Sequence, residues 1–571
     1  MKRIALVVAI GCLSSFSSAQ RTGTDPFDLV FVGGRVVDGT GAPWFEADVG
    51  VRRGKIAAVG KLHGAPSRRN VSADGLVLAP GFIDLLGQSE YNILVDPRGA
   101  SKVMQGITTE VTGEGESIAP LNDQILKEKE DVYRRYGVRP DWRTLGEYFA
   151  SLERRGIGIN LGTFVGTGTA RSIIIGRDNR PATPAELTRM ETLVDQAMQD
   201  GALGVSSSLQ YIPNIYATTE ELIALSKVAA RYGGSYFTHQ RSESGRIDIS
   251  IDEVIRIARE AKIRTQIWHL KTAYRPNFGR MPEILKKLED ARSAGVDVAA
   301  NVYPWDRASN GLDACLPPWV REGGREALLK RLADAALRER VKSEMAKESS
   351  QWENQYLGAG GAGGVMVAQV LDSKLKRYEG RTIARIAEEE KKDPRDVVID
   401  IVRADGANAS CILSIMDDRD VRAALAHPLI SFGTDSPAKA IDGPLSHETS
   451  HPRGWGSASR ILGYYVREQK VLRLEEAVRK MTSLVAAAAG FQDRGILRAG
   501  LAADLVAFDP VTVRSEATFE TPNRYSTGFR YVAVKGVLVV DVGKLTGKTP
   551  GQPLRGPGYR QRVGAIPTPK K

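Results

Sequence analysis

Two short apolar runs in the middle of the chain each end in a histidine. Residues 235–238 are followed by His239, and residues 266–268 are followed by His269. The segment between them predicts a helix because its apolar residues recur at helical spacing, at Ile251, Val254, Ile255, Ile257 and Ala258. A helix between two parallel strands places both strand ends on one edge of a sheet. The pattern therefore predicts two histidines side by side on that edge.

Similar strand and helix signals repeat on both sides of this unit. Thr183-Pro184-Ala185-Glu186 and Thr218-Thr219-Glu220-Glu221 are capping boxes that begin helices. Apolar runs at 202–207, 296–303 and 429–432 are typical of buried strands. Regular alternation with short loops predicts an α/β fold, either a parallel (β/α)8 barrel or a doubly wound sheet. In a barrel, the carboxyl ends of the strands carry the functional groups.

The two ends of the chain predict strands without helices. Alternating β-branched residues and turn glycines occupy 27–60, and similar patterns return at 503–509 and 531–541. Neither piece can bury its faces alone, so we expect one small β-sandwich domain from residues 26–79 plus 496–545. Residues 80–495 then form the barrel, with a charged and glycine-rich insertion at about 305–374 that is either a lid or a solvated excursion. Residues 546–571, rich in Pro, Gly and Lys, predict a flexible tail.

The first residues predict export of the protein. Lys2 and Arg3 precede an apolar run and then small residues, which is typical of a signal peptide at residues 1–19 with cleavage after Ala19. Cleavage before Cys12, giving a lipoprotein, is the alternative. A secreted or periplasmic protein follows from either, and no later stretch is apolar and long enough to span a membrane. Cys315 and Cys411 lack metal-site spacing; an oxidising compartment would allow a disulfide between them without demanding it.

Composition excludes some functions. A 42% apolar fraction over 571 residues is ordinary for a globular protein of about two or three domains. The formal charge is +11, but basic residues alternate with acidic ones and form no stripe with interleaved aromatics, so we expect no nucleic-acid partner. A mild attraction for small anionic substrates remains.

Four side chains at strand ends are candidates for metal chemistry. Glu114 follows an apolar run and lies between glycines, and Asp435 follows the strand at 429–432. One carboxylate, Glu114, with His239 and His269 is a set that binds zinc and leaves a position for water. Asp435 could then take a proton from that water and return it to a leaving nitrogen. Taken singly, each carboxylate could equally be a loop acid or a cap.

A series of motifs resembles one family, in that family's order. The motifs are PGFID (80–84), GITTEVTGEGESIAP (106–120), GALGVSS (201–207), THQR (238–241), WHLK (268–271), NVYP (301–304), LPPW (316–319), GTDS (433–436), HPRGWG (451–456), EEAVRKMT (475–482) and ADLVAFDP (503–510). Together they resemble the N-acyl-D-amino-acid deacylases (D-aminoacylases) of the amidohydrolase superfamily. No single motif is decisive, but ordered agreement from residue 28 to residue 541 is specific.

The resemblance implies a zinc-bearing TIM-like barrel, a small β domain and hydrolysis of the amide of N-acylated D-amino acids. It implies His239 and His269 as metal ligands, Glu114 at the position of the family's bridging cysteine, and Asp435 as the catalytic acid and base. The residues that it implies for the substrate carboxylate are Lys271, Tyr303, Ser309 and Arg453. A guanidinium fork suits a carboxylate well.

One departure from the family concerns the first barrel strand. The family follows GFID with a His-x-His pair of ligands, and this chain has Leu86 and Gln88 at those positions. Leucine cannot bind a metal and a neutral amide is a poor ligand, so we expect a single zinc ion held by Glu114, His239 and His269. The same departure leaves two alternatives open: a catalytically decayed binding protein on this fold, or a hydrolase of another amide, dipeptide or lactone.

Overall fold

A computed structural model describes residues 25–349, 352–447 and 451–560; the signal peptide predicted at residues 1–19 lies outside these ranges. The strands are β1 (Leu29–Val36), β2 (Phe45–Arg52), β3 (Lys55–Gly60), β4 (Asn70–Ser72), β5 (Val77–Pro80), β6 (Phe82–Asp84), β7 (Ile107–Thr112), β8 (Asn160–Thr163), β9 (Val165–Gly166), β10 (Gly204–Ser208), β11 (Ser235–His239), β12 (Arg264–Ile267), β13 (Val298–Val302), β14 (Ala308–Gly311), β15 (Val365–Gln369), β16 (Ser410–Leu413), β17 (Ile430–Phe432), β18 (Leu505–Phe508), β19 (Phe529–Val534), β20 (Val537–Asp541) and β21 (Lys544–Leu545).

The helices alternate with the strands in the middle of the chain. They are α1 (Asn92–Val95), α2 (Ala100–Val103), α3 (Asp123–Glu128), α4 (Glu130–Tyr136), α5 (Leu145–Arg155), α6 (Thr167–Ile174), α7 (Pro184–Asp200), α8 (Thr219–Arg231), α9 (Ile247–Ala261), α10 (Met281–Ser293), α11 (Gly324–Ala333), α12 (Ala335–Met345), α13 (Gln355–Gly358), α14 (Ile383–Glu390), α15 (Pro394–Ala404), α16 (Asp418–Ala426), α17 (Arg453–Arg460), α18 (Leu474–Met481) and α19 (Ser483–Ala489). None of the described helices is both long and apolar enough to cross a bilayer.

The central strands form a parallel (β/α)8 barrel. Strands β9 to β13 and then β17 pair in order, and β6, β7 and β8 pair in a second run. Strands β8 and β9 are one strand interrupted at Phe164, which joins the two runs. The barrel closes between its first and last strands. The Leu85 N–H donates to the Phe432 carbonyl at 3.3 Å, and Gly87 forms a parallel β-bridge with Ser436. Closure places the carboxyl ends of the first and last strands side by side.

Helix α9 shows why the central pattern folds this way. The apolar residues that predict it at helical spacing are buried against the barrel. The helix turns the chain so that β11 and β12 pair in parallel, with Thr238 opposite Ile267. His239 and His269 therefore leave the barrel at the same rim, as the spacing predicts.

The small domain is built from both ends of the chain. Its nine strands pair in the order β21-β20-β19-β18-β5-β1-β2-β3, with β4 on β1, so that hydrogen bonds join them all in one sheet. Strand β5 links the two ends, because it pairs in parallel with β1 and antiparallel with β18. A buried ion pair fixes this sheet to the barrel: Arg494 Nη1 lies 2.6 Å from Asp504 Oδ2, which also accepts from Asn160 Nδ2 of β8 at 2.9 Å.

The insertion is longer than the sequence indicates. Its predicted end near residue 374 is wrong, because β16 pairs with both β14 and β15, and α14 and α15 pack in the same core. The inserted unit thus runs from about residue 305 to residue 416 and has a hydrophobic cluster separate from that of the barrel. Cys315 and Cys411 lie buried in it as free thiols.

The described part of the predicted tail is not loose. The Gly551 N–H donates to the Ile157 carbonyl at 2.7 Å, and the Leu554 N–H donates to the Leu161 carbonyl at 2.8 Å. Residues 546–560 therefore run along the barrel beside β8, which corrects the prediction of a flexible tail for these residues. Residues 561–571 lie outside the described ranges.

A fully buried lysine holds the first two strands and the last strand of the barrel together. Lys102 Nζ donates to Asp84 Oδ2 at 2.7 Å, to Thr434 Oγ1 at 2.8 Å and to the Ser436 carbonyl at 2.7 Å. Glu110 Oε2 lies 3.7 Å from the same nitrogen. Three elements thus share one charge away from water.

We expect Lys102→Met to lower the free energy of unfolding by about 3–5 kcal/mol, because it leaves two buried carboxylates without their cation. Chemical denaturation followed by circular dichroism measures the change. Lys286→Met, which breaks the exposed pair with Asp290, is the matched control and should have little effect. Equal stability of the two variants would contradict a structural role for Lys102.

Candidate metal centre and active site

Glu114, His239 and His269 converge at the barrel rim. Glu114 Oε1 lies 3.1 Å from His239 Nδ1 and 3.1 Å from His269 Nε2. The three donor atoms lie within 4.8 Å of one another, and the two imidazole rings meet edge to face with centroids 4.5 Å apart. The side chains come from the ends of β7, β11 and β12, so the fold brings together the three ligands that the sequence predicts.

A second carboxylate orients the ring of His269. Glu243 Oε1 lies 3.1 Å from His269 Nδ1 and accepts from Lys271 Nζ at 2.5 Å, and Lys271 Nζ itself lies 2.8 Å from His269 Nδ1. A carboxylate beside Nδ1 favours the tautomer in which Nε2 offers its lone pair to a metal, whereas an ammonium only donates and favours a lone pair on Nδ1. Glu243 is not among the residues that the sequence predicts for the site, although its place four residues after His239 was the available signal.

Two site residues have left-handed backbone conformations. His269 has φ of 38° and Asp435 has φ of 52°, values that side chains other than glycine rarely adopt. Hydrogen bonds hold each backbone in place: the His269 N–H donates to Asn301 Oδ1 at 2.6 Å, and the Asp435 N–H donates to the Leu86 carbonyl at 2.7 Å. Such conformations persist where the surrounding structure fixes them, as at functional sites.

Asp435 faces the metal-binding triad across Gln88. Gln88 Nε2 donates to Glu114 Oε2 at 3.1 Å and to Asp435 Oδ1 at 3.0 Å. The other oxygen of Asp435, Oδ2, lies 2.8 Å from Arg453 Nη1. The predicted acid and base is therefore linked to the triad through one side chain. Leu86, two residues earlier, is fully buried in an apolar cluster with Phe164, Phe237 and Trp268.

Of the four residues predicted to hold the substrate carboxylate, three lie close together near Asp435 and one lies on the insertion. The Arg453 guanidinium lies over the Tyr303 ring, 4.7 Å from its centroid, and pairs with Asp435 at 2.8 Å. Lys271 also lies beside Tyr303, but its ammonium is paired with Glu243. Ser309 lies on β14 of the insertion, opposite Ile412, and among the described contacts it has no hydrogen bond to the triad. These substrate roles stay predictions.

The carboxylates around His269 stabilise its positively charged form, as the pKa values of the site show. Burial and Lys271 lower the pKa of His269, but the charges of Asp435, Glu114 and Glu243 outweigh them and raise this pKa to about 9. Burial opposes ionisation of Glu114, yet the hydrogen bonds from the two imidazoles hold the pKa of Glu114 well below its ordinary value. Burial raises the pKa of Asp435 against the pull of Arg453, which suits a group that accepts a proton.

The donor set fits zinc. One carboxylate oxygen and two imidazole nitrogens point at one another at the rim of the barrel, and zinc takes such nitrogen and oxygen ligands in catalytic sites. Glu243 behind His269 supplies the outer carboxylate that commonly supports a metal-binding histidine. Within the described ranges, no other group of His, Cys, Asp and Glu side chains has this arrangement.

Comparison with known proteins agrees with the fold and the site. The sequence profile of the amidohydrolase family matches residues 69–540. The D-aminoacylase of Alcaligenes xylosoxydans xylosoxydans is 34% identical over 537 residues, which are 94% of this chain and 99% of that protein. An N-acyl-D-glutamate deacylase of the same organism is 32% identical over 90% of this chain and 94% of its own length.

Solved structures agree with the sequence relatives. The N-acyl-D-glutamate deacylase of Bordetella bronchiseptica, complexed with zinc and a phosphonate mimic of the tetrahedral intermediate, has a TM-score of 0.77 at 31% identity, covering 93% of this chain and all of that chain. A D-aminoacylase structure has a TM-score of 0.74 at 32% identity with the same coverage. The L-hydantoinase of Arthrobacter aurescens, at 16% identity and a TM-score of 0.52, shares the fold alone.

A barrel of this kind, with a metal-binding triad at its rim and a carboxylate beside it, defines a metal-dependent hydrolase that acts on carbon–nitrogen bonds. The chain belongs to the amidohydrolase family and, within it, to the group of the D-aminoacylases and N-acyl-D-amino-acid deacylases.

We expect His269→Ala to lose bound zinc and hydrolytic activity together, because it removes one of three ligands and the ring that Glu243 orients. Zinc per chain, measured by atomic emission after gel filtration, and amide hydrolysis check this expectation. His63→Ala, at an exposed position in the small domain, is the control. Unchanged zinc content and turnover in the His269 variant would disprove the assignment of this ligand.

Proposed function

We propose that the protein hydrolyses the amide bond of N-acyl-D-amino acids, or of short peptides that carry a D-residue, with a single zinc ion. The observation that carries the proposal is the set of Glu114, His239 and His269 with Asp435 linked to it. Relatives whose names state this activity, at 34% and 32% identity over most of the chain, support the substrate class.

Each side chain has a part in the reaction. Zinc held by Glu114, His239 and His269 would lower the pKa of a water molecule towards roughly 7 and polarise the amide carbonyl. Asp435 accepts the proton of the attacking water on its carboxylate and returns it to the leaving nitrogen. Glu243 and Lys271 contact His269 Nδ1 and orient the ring, and the Asn301 side chain holds the His269 backbone.

A single zinc ion is favoured by the residues of the first strand. Leu86 lies in the apolar core, and the Gln88 side-chain nitrogen donates to two carboxylates. Neither residue therefore offers a ligand to a second zinc ion. One similar structure describes one-metal activation and second-metal attenuation in a D-aminoacylase. Activation by one metal in that related enzyme supports activity of this chain with one zinc ion.

Arg453 is the best-placed group for the carboxylate of the substrate. It is buried over the Tyr303 ring, and its only described ion pair is to Asp435. A substrate carboxylate can share the guanidinium through its remaining N–H groups, since arginine carries five donors. The small anionic substrate class also agrees with the net charge of +11. The signal-like residues 1–19 extend the proposal to a secreted or periplasmic site of action.

We expect Asp435→Asn to lower kcat by about 10²- to 10⁴-fold, because the amide cannot accept the proton, while one zinc ion stays bound. Steady-state hydrolysis of paired D- and L-N-acyl amino acids, with zinc analysis of the same samples, measures both effects. Asp290→Asn, on the exposed face of α10, is the control. Turnover of neither enantiomer by the wild type, with zinc bound, would favour another amide, dipeptide or lactone; tight ligand binding without zinc would favour a binding protein.

We expect Arg453→Gln to remove the preference for substrates with a free carboxylate. The test compares kcat/KM for an N-acyl-D-amino acid and for its carboxamide. The wild type should prefer the carboxylate by roughly 10- to 100-fold, and the variant should treat the two alike, whereas Arg256→Gln on the exposed face of α9 should keep the preference. An unchanged ratio in the Arg453 variant would exclude this residue as the carboxylate receptor.

A further inference from the structure

One polar side chain lies between the metal ligand and the proposed acid and base. Gln88 Nε2 donates to Glu114 Oε2 at 3.1 Å and to Asp435 Oδ1 at 3.0 Å. The remaining oxygens of these two carboxylates face the imidazoles and Arg453. A continuous line of polar contacts thus runs from the triad through the Gln88 amide to Asp435 and Arg453.

The orientation of this amide follows from its partners. An ionised carboxylate only accepts hydrogen bonds, and a glutamine offers two donors on nitrogen and acceptors on oxygen. With two carboxylates at hydrogen-bond distance, the nitrogen must face both, and each of its two hydrogens serves one of them. The amide is therefore fully used as a donor pair between two groups of like charge, which would repel each other without it.

The backbone around Gln88 is fixed from below. The Gly87 N–H donates to the Val111 carbonyl at 2.8 Å, and Ser89 donates through its N–H and its hydroxyl to Glu110 at 3.1 and 2.8 Å. A side chain at position 87 is excluded, because a Cβ there would lie 1.8 Å from Glu110 Oε1. Leu86 is packed in the apolar core on the other side. These contacts therefore fix the position of the backbone that carries the half-buried Gln88 side chain.

We propose that Gln88 is a positioning residue whose two N–H groups replace a second cation between Glu114 and Asp435. The proposal deepens the proposed function and depends on it, because it states how the site keeps both carboxylates aligned with one zinc ion. The Gln88 amide turns one oxygen of Glu114 toward the imidazoles and keeps Asp435 beside the triad. Gln88 acts through these carboxylates and takes no part in proton transfer.

Two substitutions of similar length separate this role from a general structural one. Gln88→Met keeps the shape and removes both donors. Gln88→Glu keeps the shape and adds a third carboxylate facing Glu114 and Asp435, a set of oxygen donors that binds a cation. Gln124→Met and Gln124→Glu, on the exposed side of α3, are matched controls. Thermal unfolding confirms that each variant is folded before the comparison.

The readouts are zinc affinity by competition with a chromogenic chelator, zinc per chain and kcat/KM. We expect Gln88→Met to keep one zinc ion with roughly 10- to 100-fold weaker affinity and a similar loss in kcat/KM, as for other groups that support a metal ligand. We expect Gln88→Glu to raise the zinc content from one to two per chain. Both Gln124 variants should match the wild type.

The proposal is overturned if Gln88→Met keeps zinc affinity within about threefold of the wild type, or if Gln88→Glu still binds a single zinc ion. Two zinc ions in the wild-type protein would also overturn it, even if the enzyme hydrolyses N-acyl-D-amino acids. If the wild type binds one zinc ion but cleaves none of these substrates, the proposed function fails, while zinc affinity and zinc content still decide the role of Gln88.

Discussion

The geometry of the site depends on one buried carboxylate that joins the first and last strands of the barrel. Asp84, at the end of β6, accepts hydrogen bonds from the Thr434 N–H at 2.7 Å and the Leu86 N–H at 3.2 Å, and pairs with Lys102. These contacts connect segments 350 positions apart in the sequence. Because Asp84 sets the register between the two loops, Gln88 on one loop and Asp435 on the other meet at hydrogen-bond distance.

The candidate site consists of an apolar layer of side chains and a row of polar side chains above it. Leu86, Phe164, Phe237 and Trp268 pack below the rim and leave the ligands few ways to move, since closely packed interiors resist rearrangement. Above them, hydrogen-bond donors contact acceptors and cations contact anions, as in the contacts of Gln88 with Glu114 and of Arg453 with Asp435. A site of this kind holds several charges near each other because each has a partner, which offsets the cost of burial.

The features that sequence predicts best here are those set by periodicity. Parallel strands end on one rim, so strand-end positions alone bring Glu114, His239, His269 and Asp435 together. The length of the insertion escaped prediction because α14 and α15 have the same local amphipathic pattern as barrel helices. The tail escaped it because residues 550–554 are held by backbone hydrogen bonds, which composition does not reveal. The role of Gln88 could not be predicted, because it depends on the two carboxylates that the folded chain brings to its side-chain amide.

The separate core of the insertion has a consequence for how this protein could diversify. Its cluster of buried residues packs mainly against itself, while its first residues follow Tyr303 directly in the chain. Sequence change within residues 305–416 can therefore alter the surroundings of Tyr303 while the candidate metal ligands on β7, β11 and β12 stay untouched. The fold thus keeps the inserted unit, with its own core, apart from the barrel strands that carry the candidate metal ligands.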